Sequence, residues 1–187
     1  VFDGEGPPSR ITVASPTYVG IEFEITGRAA HAGMEPEKGL SAIRVAADLI
    51  SRFPQGRLDP ATTFNIGKIE GGSVRNAVPK STTVAGEFRS SNLETLEQLK
   101  EQIGITLKTI RKKYPDAVIL EQINDEFMTY TINDDDPFML QIESALHSLG
   151  MKPTHLPSGG GSDSNVFRQR GIASVVVGMS DHNAHTV

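Results

Sequence analysis

The order of strand and helix patterns between Thr17 and Ile123 constrains the fold of this chain most strongly. Apolar and polar residues alternate from Thr17 to Ile25, which predicts a half-buried strand. Similar patterns predict strands over residues 62–69, 82–88 and 117–123, and helices over residues 39–53 and 92–114. The resulting β-α-β-β-α-β order is that of a split βαβ, ferredoxin-like unit.

The flanking segments predict part of a second, doubly wound α/β domain. A helix is expected from Pro137 to Leu149, followed by a glycine-rich turn, a short helix over residues 165–170 and an apolar strand over residues 173–177. Residues 2–6 are predicted to form a loop that carries acidic residues. We therefore expect residues 17–128 to be an inserted domain, with residues 1–16 and 129–187 forming parts of the other domain.

Composition narrows the possible partners. The chain has 187 residues, of which 37% are hydrophobic and 22% charged, so it is globular rather than disordered. Its net charge of −5 and the absence of a basic stripe exclude nucleic acid and membrane as expected partners. There is no cysteine, so any metal must be held by histidine and carboxylate ligands, and a cytoplasmic location is expected.

Three residues of the inserted domain are candidates for contact with a substrate. His31 lies in a loop of small residues after the first strand, where an imidazole could donate a proton or hydrogen bond. Asn76 lies in a long turn, and Arg89 near the end of the following strand offers a planar fork for a carboxylate. A packing histidine, a turn asparagine and a solvated arginine are the structural alternatives.

Two residues near the ends of the chain are candidate metal ligands. Asp3 and His185 are a carboxylate and an imidazole of the kind found in Zn²⁺ or Mn²⁺ sites. His182 competes with His185 for this role. Two isolated ligands do not define a site by spacing alone. A metal-binding role and a role without metal therefore both stay open for these residues.

The ordered set of motifs resembles the zinc exopeptidases related to peptidase T, acetylornithine deacetylase and carboxypeptidase G. The resemblance covers nearly the whole chain, and residues 56–67 look most like the peptidase T-like branch. The motifs are, in order, Asp3-Gly4-Glu5-Gly6, Gly27 to Gly33 around His31, Gly71 to Pro79 around Asn76, Glu87-Phe88-Arg89-Ser90, Gly160-Gly161-Ser162-Asp163 and Asn183-Ala184-His185.

The resemblance implies a role for each matching residue. Asp3 and His185 would each bind one of two zinc ions, with Mn²⁺ or Co²⁺ as alternatives. His31 would reach the partner subunit's site and stabilise the oxyanion. Asn76 and Arg89 would hold the substrate beside the loop of Gly160, Gly161 and Ser162. Asp163 receives no role.

The resemblance also implies what the whole protein does. We expect a metal-dependent exopeptidase that hydrolyses short peptides and forms a homodimer through the inserted lid domain. An N-acyl-amino-acid deacylase is the alternative enzyme. The remaining ligands and the general base of the family match nothing in this chain, so we expect the chain to be the C-terminal half of the enzyme. By itself it would bind no zinc and act only in dimerisation and substrate binding.

Overall fold

The computed structural model describes residues 1–180, which contain ten strands and four α-helices. The helices are α1 (Ala42–Ile50), α2 (Leu93–Lys113), α3 (Pro137–Ser148) and α4 (Asp163–Gln169). The strands are β1 (Phe2–Glu5), β2 (Arg10–Ser15), β3 (Thr17–Thr26), β4 (Gly56–Asp59), β5 (Thr62–Gly71), β6 (Ser81–Ser90), β7 (Val118–Phe127), β8 (Tyr130–Thr131), β9 (Thr154–Pro157) and β10 (Val176–Ser180). The described residues form two compact units, one of residues 19–125 and one of residues 1–18 and 126–180.

The unit of residues 19–125, hereafter the lid, contains a five-stranded sheet in the order β4-β5-β6-β3-β7. Without the short edge strand β4, this is the strand order of a split βαβ unit, with β6 inserted between β3 and β5. The ferredoxin-like prediction is therefore confirmed. Strand β3 lies inside the sheet, which leaves β4 and β7 as the edge strands of the described sheet.

One face of the lid sheet packs against α1 and α2. In β3 the odd-numbered residues from Val19 to Ile25 are buried, whereas Glu22 and Glu24 are exposed on the opposite face. Phe64 and Phe88 stack in parallel across β5 and β6, with their ring centroids 5.6 Å apart. The strand alternation predicted from the sequence thus separates an apolar, helix-covered face from a polar one.

The lid helices begin where their capping residues place them. The Asn92 side chain accepts hydrogen bonds from the backbone N–H groups of Glu94 and Thr95, at 2.9 and 3.3 Å, and α2 starts at Leu93. Ser41 caps α1 in the same way through the Arg44 N–H. The stretch predicted as one helix over residues 39–53 contains the shorter α1, preceded by a 3₁₀ turn at Pro36–Lys38.

The other unit contains a mixed sheet in the order β1-β10-β2-β8, with β9 also paired to β2. Strand β1 runs parallel to β10, and β2 runs parallel to β9. Its core is a smaller apolar cluster whose buried members are Ile11, Tyr130, Ile132, Met139, Leu146, Val175 and Val177. The described residues thus contain two sheets and four α-helices, which confirms the predicted α/β class.

Residues 2–6 were predicted as a loop, and this was wrong, because residues 2–5 form β1. Its glycine permits close strand approach: a Cβ at Gly4 would lie 2.9 Å from the Val177 carbonyl oxygen of β10. The strand predicted over residues 173–177 is instead β10 at Val176–Ser180. Among residues 1–180, no helix is both long enough and apolar enough to cross a membrane.

Candidate functional site

The His31 loop leaves the end of β3 and is fixed by backbone hydrogen bonds. The Gly27 N–H donates to the Lys80 carbonyl at 2.7 Å, and Arg28 and Leu40 exchange two backbone hydrogen bonds at 2.9 and 2.8 Å. A Cβ at Gly27 would lie 2.0 Å from the Leu40 carbonyl oxygen, so only glycine fits there without movement of the backbone. These contacts fix the start of the loop that presents His31.

The His31 side chain is exposed and has a defined hydrogen-bonding state. Its Nδ1 accepts a hydrogen bond from the Gly33 N–H at 3.2 Å. In the neutral imidazole this leaves the proton on Nε2, which is then the donor of the ring. The arrangement suits a group that donates a hydrogen bond to an external oxygen.

The Asn76 turn pairs directly with the His31 loop. The Ala32 N–H donates to the Asn76 carbonyl at 3.0 Å, and the Val78 N–H donates to the Ala30 carbonyl at 2.9 Å. His31 and Ala77 therefore form an isolated antiparallel bridge. Two motifs far apart in the sequence thus meet at one end of the lid sheet, which sequence reasoning did not anticipate.

Arg89 lies near the opposite end of β6. Its Nε and Nη2 atoms donate to the two carboxylate oxygens of Glu87, at 3.0 and 2.9 Å. The two side chains share the polar face of the sheet, because residues two apart in a strand point the same way. Glu87 was not among the residues predicted from the sequence, although its spacing of two from Arg89 in a predicted strand places both on one face.

The lid candidates therefore fall into two groups. Strand β6 pairs with β5 along its length, from Thr82 opposite Gly71 to Ser90 opposite Thr62. With a rise of about 3.3 Å per residue, Arg89 lies about 25 Å along the sheet from Ser81, where the Asn76 turn ends. His31 and Asn76 belong to one end of the lid, and Arg89 belongs to the other.

The glycine-rich loop of the other unit is held by Asn165, which the sequence analysis missed. The buried Asn165 side chain accepts from the Ser162 N–H at 3.0 Å and donates to the Met128 carbonyl and the Ser15 hydroxyl, both at 2.9 Å. The Ser15 hydroxyl in turn lies 2.9 Å from the Gly160 carbonyl oxygen. A polar network thus fixes the path of residues 160–162.

Gly161 and Ser162 both help to fix the structure of this loop. A Cβ at Gly161 would lie 1.9 Å from the Phe127 ring, so a larger residue would displace that ring. The Ser162 hydroxyl caps α4 by accepting from the Ser164 N–H at 3.2 Å. The Asn165 signal was available in the sequence as the fourth residue of a capping box that starts at Ser162.

Asp3 is exposed in β1, parallel to β10. Within residues 1–180, no three or more His, Cys, Asp or Glu side chains cluster so that they could hold a metal ion. A zinc site uses at least three protein ligands, so the described residues alone do not fit a two-zinc centre. His182 and the predicted ligand His185 lie outside the described residues.

Asp136, a carboxylate outside the predicted site, caps a helix and pairs with an arginine. Asp136 caps α3 by accepting from the N–H groups of Phe138 and Met139, at 2.9 and 3.1 Å. The hydrogen bond from Met139 is the largest influence that lowers the pKa of Asp136 below its usual value, and Phe138 and Arg168 add to it. This residue ties the start of α3 to α4 through Arg168.

Known proteins share the fold described above. The model of the M20 peptidase dimerisation domain matches residues 13–115, more than half of the chain. The chain belongs to the M20 peptidase family. The matched region contains His31, Asn76 and Arg89, so the three lid candidates all lie in the dimerisation domain.

Three relatives illustrate the similarity. The uncharacterized protein YqjE of Bacillus subtilis is 34% identical over 185 residues, which are 99% of this chain and 50% of that protein. Aminopeptidase PepT from Bacillus cereus has a TM-score of 0.82 and 34% identity, covering 99% of this chain and 49% of that one. A tripeptidase from Staphylococcus aureus has a TM-score of 0.82 and 30% identity, covering 95% and 47%. The chain thus spans about half the length of these relatives.

Proposed function

We propose that the full-length protein containing this chain is a metal-dependent exopeptidase that hydrolyses short peptides as a homodimer. The similarity to an aminopeptidase and a tripeptidase at 34% and 30% identity supports the reaction class. The separation of the lid residues into two groups supports the dimer, and it is the observation that carries the proposal. We also assign the protein to the cytoplasm, since a chain without cysteine fits a reducing compartment.

Two lengths support the dimer. Arg89 lies about 25 Å along the sheet from the end that presents His31 and Asn76. An extended tripeptide spans only about 10 Å. One lid therefore cannot bring all three residues to the same short peptide, whereas two lids can, with Arg89 from one subunit and His31 and Asn76 from the other.

The proposed roles follow from the chemistry of each side chain. The Nε2 proton of His31 would donate to the oxyanion that forms when the peptide carbonyl is attacked. The Asn76 amide would hold a peptide group, and the Arg89 guanidinium would hold the terminal carboxylate. Gly160, Gly161 and Ser162 are proposed as further substrate contacts.

The metal ligands proposed within this chain are Asp3 and His185, with zinc as the expected ion. Further ligands and the base that activates water would come from sequence that this chain does not contain. When bound, two metal ions of this kind activate water and polarise the substrate carbonyl.

Subunit mixing tests the shared site. His31→Ala and Arg89→Ala variants of the full-length enzyme are each expected to lose most activity. If each site takes Arg89 from one subunit and His31 from the other, a mixed dimer of the two variants contains one intact site, and unfolding and refolding the mixture restores activity. The absence of any restoration, with mixed dimers demonstrated by differently tagged subunits, would contradict the proposal.

Two controls sharpen this experiment. A double His31→Ala, Arg89→Ala variant mixed with wild type gives dimers in which each proposed site has one defect, so activity should fall below that of the wild-type share. His147→Ala removes another exposed histidine, in the last turn of α3, and should leave activity unchanged. The same preparations should be tested on tripeptides, dipeptides and N-acyl amino acids, and preference for the last class would indicate a deacylase.

The surface used for dimerisation is tested through the two sheet edges. An unpaired strand edge favours association with a second copy, and two-fold pairing is a common way to cover it. A proline at Leu58 of β4 or at Leu120 of β7 would disrupt pairing at one edge and spare the other. We expect light scattering to show a monomer for one of these variants, and a dimer for both would place the interface elsewhere on the lid.

A further inference from the structure

Glu87 is the carboxylate that contacts Arg89, and its geometry is more ordered than that of a surface ion pair. The two hydrogen bonds, at 3.0 and 2.9 Å, join both carboxylate oxygens to the same edge of the guanidinium. The side chains of Arg89 and Glu87 are only 28% and 29% exposed. Bidentate pairs of this type fix the plane of the arginine fork as well as its position.

A second ion pair on the lid sheet provides a comparison. Lys68 and Glu70 are also two residues apart on one strand, β5, and lie 3.1 Å apart. Their side chains are 63% and 68% exposed, and a lysine offers only a point charge. Such exposed pairs contribute little, so the orientation imposed on Arg89 is a specific property of its site on β6.

On the β5 side of β6, the residues in register with Arg89 and Glu87 are uncharged. Their cross-strand partners in β5 are Thr63 and Asn65. Within the paired strands β5 and β6, Glu87 is therefore the charged residue next to Arg89 on the same face, and β3 flanks β6 on its other side.

We propose that Glu87 is a positioning residue that holds the Arg89 fork in one orientation for the terminal carboxylate of a peptide. This inference rests on the proposed role of Arg89. A free arginine side chain occupies many rotamers, and a substrate that binds it must order them. The bidentate contact to Glu87 orders the side chain before the substrate arrives, so binding is less costly.

The negative charge of Glu87 acts in the opposite direction, because it repels a peptide carboxylate. Both side chains are partly exposed, so water screens this repulsion. The ordering of a long side chain is worth about tenfold in affinity, and we take it as the larger effect. Loss of Glu87 should therefore weaken the binding of free peptides.

The experiment compares a tripeptide with the same tripeptide amidated at its C-terminus, using the full-length enzyme. The measured quantity is the ratio of kcat/KM for the acid to kcat/KM for the amide. Glu87→Ala should lower this ratio about three- to tenfold, chiefly through a higher KM for the acid. Glu87→Gln keeps one acceptor for the guanidinium, is less disruptive to folding, and should fall between Glu87→Ala and wild type.

Two further variants make the result specific. Glu70→Gln removes the matched exposed carboxylate on β5 and should leave the ratio unchanged. In an Arg89→Ala background, adding Glu87→Gln should have no further effect on the ratio, because Glu87 is proposed to act only through Arg89.

The possible outcomes separate this inference from the proposed function. If Arg89→Ala lowers the ratio but the Glu87 variants leave it unchanged or raise it, the positioning role is wrong and the arginine clamp stands. Equal losses on the acid and the amide would show a merely structural Glu87 and would also overturn the inference. If Arg89→Ala leaves the ratio unchanged, the clamp itself fails, and the role of Glu87 fails with it.

Discussion

Replacing Gly27 with alanine tests whether the His31 loop is fixed as the structure indicates. The new Cβ would lie 2.0 Å from the Leu40 carbonyl oxygen, far inside van der Waals contact. Relief requires the paired backbone hydrogen bonds between Arg28 and Leu40 to separate. Overpacking costs about 1–3 kcal/mol and each lost hydrogen bond about 1 kcal/mol, so we expect the free energy of unfolding to fall by about 2–5 kcal/mol.

The matched control is Gly104→Ala in the middle of α2. A Cβ at Gly104 meets nothing within 4 Å, so the substitution introduces no clash. Alanine is the better helix former by about 1 kcal/mol, and this variant should be more stable than wild type. Both are measured by urea unfolding followed by far-ultraviolet circular dichroism.

The opposite signs expected for two Gly→Ala changes make the test decisive. If Gly27→Ala unfolds at the wild-type urea concentration or above, with an unchanged denaturant slope, then the close approach of Gly27 to Leu40 does not exist in solution. In the full-length enzyme, Gly27→Ala should also reduce activity in proportion to the displacement of His31, whereas Gly104→Ala should not.

Three further predictions concern the other unit. Asn165→Asp removes the donor to the Met128 carbonyl and buries a charge, so it should lower the free energy of unfolding by about 2–4 kcal/mol; wild-type stability would contradict the Asn165 network. Because the folded state lowers the pKa of Asp136, this residue stabilises the fold above its unfolded pKa, and that stability is lost as the pH falls through the folded pKa. The free energy of unfolding of Asp136→Asn should therefore fall less than that of wild type between neutral and strongly acidic pH. Equal falls in the two proteins would contradict a stabilising role for the Asp136 carboxylate. Calorimetric titration of this chain with Zn²⁺ should give binding weaker than micromolar, since a zinc site needs at least three ligands; submicromolar affinity would refute this.

The lid was predictable because its local signals agree with its packing. Asn92 has the side chain of an N-cap, apolar residues follow at helical spacing, and the helix begins at Leu93. The alternation in β3 likewise matches the buried face that the helices cover. Each of these features is set by residues close in sequence.

The edge of the other unit was not predictable in the same way. Residues 2–6 were predicted as a loop, yet Gly4 permits the close approach of β1 to β10, a strand that follows the lid in the sequence. The pairing of the Asn76 turn with the His31 loop is similarly set by tertiary contacts. In both places the sequence contains glycines, and only the partner segment decides whether they mark a turn or a contact between backbones.

The topology of the lid supports the shared site proposed above. Because β6 lies beside β3, the loop that leaves β3 meets the turn that enters β6, as the hydrogen bond from Gly27 to Lys80 records. His31 and Asn76 therefore must occupy the same end of the sheet. Arg89 follows almost a whole strand later and must occupy the other end. If both groups bind one short peptide, as proposed, two copies of the lid are required, because the strand order holds the two groups at opposite ends of one sheet.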